Sequence, residues 1–276
     1  MNKVADLHLH TIFSDSTFSP VDIVREALAH RLACVAVTDH DTLDGVLPTQ
    51  EAAHGFDLEI LPGIELSCEW QEKDIHILAY LMDQGNERLT RQLARFREAR
   101  VERIYKMVQK LQELGIRDIT AEEVLRQAGS DSVGRPHLAS LLVEKGVVHD
   151  MRTAFDRYLA EDRPAYVSKY KQTPFEAIEL IHQAGGIAVL AHPVMTRVDE
   201  LIAAFAEAGL DGLEVYYPHS TINIISHYEG IAAKHDMIMT GGSDAHGEDR
   251  SHAQIGYIQV PYELVEGMKK RAERYR

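Results

Sequence analysis

Asp6-Leu7-His8-Leu9-His10 opens the chain with two imidazoles at i and i+2 inside an apolar run. Side chains two apart on a strand leave the same face, so such a pair can close on one ion. Later segments add Asp15, Thr38-Asp39-His40-Asp41, Pro62-Gly63-Ile64-Glu65, Asp74-Ile75-His76, Ala191-His192-Pro193 and Ser243-Asp244-Ala245-His246. Almost every one follows a short β-type apolar run or sits inside one, and parallel barrels build their sites at the C-terminal ends of strands. A lone histidine on an apolar strand is usually a hydrogen-bonded core residue. Six at strand ends predict divalent metal chemistry. Histidine with carboxylate and no cysteine favours Zn, Mn or Fe over a soft thiolate site.

The elements that must position these residues are readable from periodicity. Strands are predicted near 4–9, 33–38, 59–66 and 75–81. Helices are predicted from Ser19-Pro20 to about 30, with Ser19 as N-cap, and over 43–54. This βαβ rhythm predicts a largely parallel sheet. After Met82 the pattern changes. An amphipathic helix is predicted over 87–114, carrying Leu89, Leu93, Phe96, Ile104, Met107, Leu111 and Leu114 at helical spacing and stopped by Gly115. Thr120 with Glu123 reads as a capping box, Pro136 opens a helix that ends near Gly146, and 150–159 forms another. Residues 83–165 are therefore expected as an all-helical insertion domain between the barrel segments 1–82 and 166–276. Alternation resumes at Thr173-Pro174-Phe175-Glu176, before a helix closed by Gly185-Gly186. Strands at 187–191, 212–216 and 237–240 bring the expected count to about seven.

Composition excludes several classes. With 276 residues and 45% apolar content, the chain can bury a sizeable core. No stretch approaches the roughly 20 apolar residues of a membrane span, and the start lacks the regions of a signal peptide. A cytoplasmic protein without membrane contact is the expectation. Cys34 and Cys68 lie in or beside apolar strands, as buried thiols rather than a disulfide framework. A net charge of −14 argues against coating DNA or RNA through clustered basic residues, and three divalent ions would bring it to −8. Arg88, Arg91, Arg95, Arg97, Arg100 and Arg103 alternate with Glu87, Glu98 and Glu102, as on a solvated helix face.

Taken together, Asp6-Leu-His-Leu-His10, Ser14-Asp15, Thr38-Asp-His-Asp41, Pro62-Gly-x-Glu65, His76, Ala191-His-Pro193 and Ser243-Asp-x-His246 resemble the PHP (polymerase and histidinol phosphatase) family of metal-dependent phosphoesterases. The resemblance implies an α/β fold, a distorted (β/α)7 TIM-like barrel with three metal ions at its mouth. It assigns His8, His10, Glu65 and Asp244 to a first ion, Glu65, His76 and His192 to a second, and Asp15, His40 and His246 to a third. The pairs His8/His10 and Asp244/His246 lie on the first and last strands, which become neighbours only if the barrel closes. Ser16 and Val194 stand where family members often have glycine; neither position supplies a ligand.

Three divalent ions against Asp15, Glu65 and Asp244 leave a formal surplus of +3. That matches a phosphate monoester dianion plus a hydroxide held by the cations. Asp39 and Asp41 flank His40, as carboxylates that fix a metal-bound imidazole do, with helix capping by Asp41 as the structural alternative. Gly134-Arg135-Pro136-His137 places Arg135 and His137 at a helix N-terminus that favours anions. This element is similar to one in the PHP subgroup with a helical insertion, which includes nucleotide bisphosphate phosphatases and a 5′→3′ exoribonuclease. By that likeness Arg135 and His137 reach over the metals, and His219 is a general acid or phosphate contact. Lys169, Tyr166 and Tyr170 are read as base or phosphate contacts or as packing. The expected activity is hydrolysis of a small phosphorylated metabolite, a 3′,5′-nucleotide bisphosphate first. A 5′→3′ exoribonuclease on short RNA and a non-catalytic binding module are the alternatives.

Overall fold

Aliphatic runs bounded by turn residues form the strands, as at Cys34–Val37 and Ile187–Leu190, each buried along its whole length. The structure, a computed structural model, describes residues 3–128, 133–168, 170–247 and 254–276. It divides into two compact units, Met1–Arg91 with Lys171–Arg276, and Gln92–Tyr170.

The first unit carries all eight strands of the described residues: β1 (Val4–Leu9), β2 (Cys34–Val37), β3 (Glu59–Trp70), β4 (Lys73–Tyr80), β5 (Ile187–Leu190), β6 (Gly212–Tyr216), β7 (Ile238–Gly241) and β8 (Val260–Pro261). They form one nearly closed, barrel-like sheet in the order β7-β6-β5-β4-β3-β2-β1-β8. β1, β2 and β3 run parallel, as do β5, β6 and β7. The sheet is largely parallel, as expected, with two exceptions: β4 is antiparallel to both β3 and β5, and β8 to β1. A parallel return needs a crossover of about a dozen residues. Only Gln71 and Glu72 join β3 to β4, both with positive φ, so the strands form a tight hairpin. The eighth strand, beyond the predicted seven, is β8: two residues are too short to show a period of two.

Closure rests on β1 meeting the segment after β7. Leu9 and Ala245 form a parallel bridge, Asp244 N–H donates to His8 O at 2.8 Å, and His10 N–H donates to Ala245 O at 3.2 Å. A Cβ at Gly242 would collide with the backbone N and Cβ of His8, so glycine is required for this approach. The buried Asp6 carboxylate adds a seam, accepting from Ser243 N at 2.8 Å, Ser243 Oγ at 2.6 Å and Gly256 N at 2.8 Å.

The first unit also holds α1 (Pro20–Ala29), α2 (Val46–Ala52) and the start of α3 (Glu87–Glu113), and the second unit holds the rest of α3 with α4 (Ala121–Ala128), α5 (Arg135–Glu144) and α6 (Met151–Ala154). The chain returns to the first unit with α7 (Pro174–Gln183), α8 (Pro193–Thr196), α9 (Asp199–Glu207), α10 (Ile222–Lys234) and α11 (Tyr262–Ala272). Ser19 and Thr173 close reciprocal capping boxes with Asp22 and Glu176. α2 is shorter than the predicted 43–54, because Leu43 and Asp44 turn before Gly45 begins it.

Apolar clusters on different sides of β1 help to hold the first unit. Ala5, Leu7 and Ala36 pack with Leu78, Val189 and Met268, whereas Leu9, Val35 and Val37 pack with Ile23 and Val46. Leu7 and Leu9 are two apart yet enter different clusters. The β1–β2 register shifts between Asp6 and Leu9, a bulge that re-aims side chains where His8 and His10 sit.

The second unit is helical among its described residues. Ile104, Met107, Leu111, Val124, Leu138, Leu142 and Leu159 are its core. The predicted helix over 150–159 is α6 followed by one π turn, Phe155–Leu159, with Asp150 capping at Thr153 N. No helix among the described residues is long and apolar enough to cross a membrane.

Candidate metal centre

β1 supplies His8, the residue just after it His10, the following loop Asp15, the segment after β2 His40, β3 Glu65, β4 His76, the segment after β5 His192, and the segment after β7 Asp244 and His246. The hairpin explains His76: in an antiparallel strand, early residues lie beside the late residues of parallel neighbours, and His76 pairs with Ser67.

Glu65, 1% exposed, is the hub. His76 Nδ1 at 2.7 Å and His192 Nε2 at 3.0 Å face its Oε1. His8 Nε2 at 3.2 Å, His10 Nε2 at 3.2 Å and His40 Nδ1 at 3.3 Å face its Oε2. Asp244 Oδ1 lies 3.4 Å from His8 Nε2 and 3.1 Å from His10 Nε2. His246 Nε2 lies 3.1 Å from Asp15 Oδ1, and His40 Nε2 lies 4.0 Å from Asp15 Oδ2.

Ligand atoms gather in three groups of cation-binding size: His8, His10, Glu65 and Asp244; His10, Asp15, His40 and His246; and His40, Glu65 and His76. His10, His40 and Glu65 each stand in two groups, and His192 stands in none of them, meeting Glu65 Oε1 and packing edge-on with the His76 ring instead. A cation fits this donor set. The Nδ1 atoms of His10, His40 and His192 and the Oδ1 of Asp244 are buried and lack a hydrogen-bond partner, which is costly unless something positive takes their lone pairs.

The charges agree with that fit. Burial opposes protonation of His8, but Glu214, Asp244 and Glu65 outweigh it and hold its pKa well above that of a free imidazole. Burial likewise opposes His10, and the Asp244 and Glu65 carboxylates raise it to about 10. Burial dominates at His40 and pushes it down to about 3. Burial would raise Glu65 and Asp244, yet the surrounding imidazoles hold both well below the usual carboxylate range. Without metal, protons take the place of cations at His8 and His10.

Three residues at this centre are non-glycine with left-handed backbone: Asp41 (φ 55°), His192 (φ 27°) and Asp244 (φ 49°). Such conformations cost of order 1–3 kcal/mol each and persist where neighbours enforce them. Tyr217, which the motifs did not single out, donates its hydroxyl to Asp244 Oδ2 at 2.8 Å. That leaves Oδ1 facing the imidazoles. Glu214 was also not expected, and it meets His8 Nδ1 at 2.9 Å and His192 N at 2.7 Å. The signal for it was an acid in the middle of the apolar run Gly212-Leu-Glu-Val-Tyr216.

The expected helpers of His40 are engaged elsewhere. Asp39 accepts from Thr11 N at 2.7 Å, Thr11 Oγ1 at 2.6 Å and Ser14 Oγ at 2.5 Å. Asp41 accepts from Ser67 N at 2.7 Å and Ser67 Oγ at 3.0 Å, and no helix begins at it. Backbone and hydroxyl donors hold both carboxylates, Asp39 from the loop after β1 and Asp41 from β3, while the His40 ring turns toward Glu65.

His219 is exposed on the loop after β6, its ring 6.0 Å from that of Tyr217. In the helical unit, Arg135 donates to Leu159 O at 3.3 Å and lies over the rings of Phe155 and Tyr166. His137 Nδ1 accepts from Gly134 N at 3.1 Å, capping α5. Tyr166 is a platform for two guanidinium groups, since Arg103 covers it as well. Arg103 departs from the solvated face expected of its stretch: it shares the apolar stripe of Phe96 and Met107. Burial first, then Arg135 and Arg100, lower its pKa to about 10. Tyr170 packs on Phe96 and under Arg95. Lys169 lies outside the described residues.

The PHP domain family model matches residues 6–235. The 3′,5′-nucleoside bisphosphate phosphatase of Chromobacterium violaceum is 31% identical, over 92% of this chain and 91% of its own. The 5′-3′ exoribonuclease Rnm of Escherichia coli is 33% identical, over 88% of this chain and 85% of its own. A solved structure of a Bifidobacterium adolescentis protein, assigned to the metal-dependent phosphoesterases, matches with a TM-score of 0.85 at 33% identity, covering 97% of this chain and 96% of that one. A histidine and carboxylate centre on a nearly closed barrel-like sheet, with likeness along almost the whole length, has one explanation: the chain belongs to the PHP domain family and is a hydrolase of phosphoester bonds.

Proposed function

We propose that the chain is a phosphatase acting on a small nucleotide, a 3′,5′-nucleoside bisphosphate first, with two to three divalent ions of Mn, Zn or Fe. The observation that carries this reading is Glu65, one buried carboxylate with five imidazoles divided between its two oxygens. Such a carboxylate can hold two cations close together. In this reading His8, His10, Glu65 and Asp244 hold the first ion, Glu65, His76 and His192 the second, and Asp15, His40 and His246 the third.

When bound, the ions supply an acidified water to attack phosphorus and positive charge for the oxyanion that develops there. The chain's own groups do the rest. Tyr217 keeps Asp244 presenting a single oxygen. Arg135 binds a substrate phosphate, with Arg103 beside it; among the described residues neither guanidinium pairs with a carboxylate. His219 gives a proton to the alcohol oxygen as the P–O bond breaks, and His137 and Lys169 add contacts to the substrate.

We assign residues 83–165 as a helical insertion domain and 1–82 with 166–276 as the distorted (β/α)7 barrel. The division into compact units at Arg91 and Lys171 supports this assignment. Two free, buried cysteines fit the reducing cytoplasm. The non-catalytic reading is set aside because all nine ligand-type residues are present.

A relative named as an exoribonuclease keeps the second reading, 5′→3′ removal of nucleotides from short RNA. Kinetics of the metal-loaded protein on adenosine 3′,5′-bisphosphate and on a short 5′-phosphorylated oligoribonucleotide decide between them. The phosphatase reading predicts higher kcat/KM for phosphate release from the bisphosphate. Faster stepwise release of mononucleotides from the oligomer would overturn it in favour of the second.

A further inference from the structure

β6 carries none of the nine ligand-type residues, yet Glu214 at its centre reaches two of them. Its Oε1 lies 2.9 Å from His8 Nδ1, and its Oε2 lies 2.7 Å from the backbone N of His192. Glu214 is 1% exposed, so each oxygen must find its partner within the protein. An ionised carboxylate only accepts, and both partners therefore donate. His8 carries a proton on Nδ1, and in its neutral form Nε2 keeps the lone pair that faces Glu65 and Asp244. The second bond fixes the peptide of His192, whose φ of 27° lies in the left-handed region.

We propose that Glu214 is a positioning residue that sets the tautomer of His8 and holds the turn of His192. His8 serves Oε2 of Glu65 and His192 serves Oε1, so one buried carboxylate aligns ligands on both sides of the hub. This rests on the metal reading of the centre.

Glu214→Gln is the informative change because it preserves shape and removes one acceptor. If its carbonyl oxygen takes the His192 N–H, its amide N–H faces His8 Nδ1 and drives the ring proton to Nε2. If the oxygen takes His8 instead, two N–H groups oppose each other at His192. Either way one ligand set is spoiled. Glu214→Asp keeps both acceptors on a shorter stem.

The test measures Zn²⁺ affinity by competition with a chelator for wild type, Glu214→Gln and Glu214→Asp, together with ¹⁵N NMR of the His8 ring in Zn²⁺-loaded wild type. We expect the proton of His8 on Nδ1, a loss of about 10–100-fold in affinity for Gln, and a smaller loss for Asp. Wild-type affinity in the Gln variant, or a His8 proton on Nε2 in wild type, overturns the proposal alone. A Gln variant that fails to fold leaves the decision to the Asp variant and the wild-type tautomer. Wild type that binds none of Zn²⁺, Mn²⁺ and Fe²⁺ overturns the metal reading and this proposal with it; if only Mn²⁺ or Fe²⁺ binds, the same affinity comparison is made with that ion.

Discussion

The barrel unit buries its chemistry, whereas the helical unit keeps its chemistry half exposed over an apolar core. In the first, His8, His10 and Glu65 are fully enclosed and tied to strands whose own hydrogen bonds fix them. In the second, Ile104, Met107, Leu138 and Leu142 fill the interior, and Arg135 and Arg103 lie half-buried against Tyr166. A sheet can absorb a cluster of buried acids and imidazoles because each can be paired across neighbouring strand ends. A small helical unit has no such set of converging termini, so it offers guanidinium groups at its surface. In the proposed function, metal chemistry and phosphate binding thereby fall to different parts of the chain.

Paired substitutions give the largest expected contrast. Glu65→Gln removes the hub's charge and one acceptor oxygen, and should lower kcat/KM by about 10³-fold or more together with bound metal. Arg135→Ala should leave metal content unchanged and lower kcat/KM by about 10–100-fold, since a charge-assisted hydrogen bond contributes about 1.5–3 kcal/mol. Metal analysis and steady-state kinetics on the same preparations check both. Loss of metal in the Arg135 variant would break the separation.

A smaller effect sharpens the barrel side. His10 in the metal-free chain is raised from 6.5 to about 10, so it holds a proton at pH 7 that a cation must displace. Each proton released makes apparent metal affinity rise tenfold per pH unit below that pKa. In the absence of metal the same shift stabilises the fold fully below about pH 6.5, and that contribution is lost as the pH rises through 10. Calorimetry in buffers of different ionisation enthalpy should show proton release on Zn²⁺ binding; uptake or no exchange would contradict it.

Much of the centre was legible because its ligand-type residues fall into short motifs at strand ends, where His8-Leu-His10 and Asp244-Ala-His246 carry their own spacing. The elements around them were legible for the same local reason: Ser19 announces its helix as an N-cap before Pro20, and Thr173 through a capping box with Glu176. What escaped the sequence is non-local. The β3–β4 hairpin turns on Gln71 and Glu72, which lack the Asn-Gly signature of such a turn. Glu214 is a single acid whose importance depends on His8, 206 residues away. Asp39 and Asp41 sit beside His40 in sequence, yet their oxygens are taken by Thr11, Ser14 and Ser67. Adjacency along the chain predicts side-chain partners poorly where a neighbouring loop or strand presents donors to the same carboxylate.

The most direct test of the account is inorganic phosphate release from adenosine 3′,5′-bisphosphate by chelator-stripped protein, before and after addition of Mn²⁺, Zn²⁺ or Fe²⁺. The account predicts no release from the stripped protein and restored release with at least one of these ions. Undiminished release after complete removal of metal, or none after verified reloading, would contradict it.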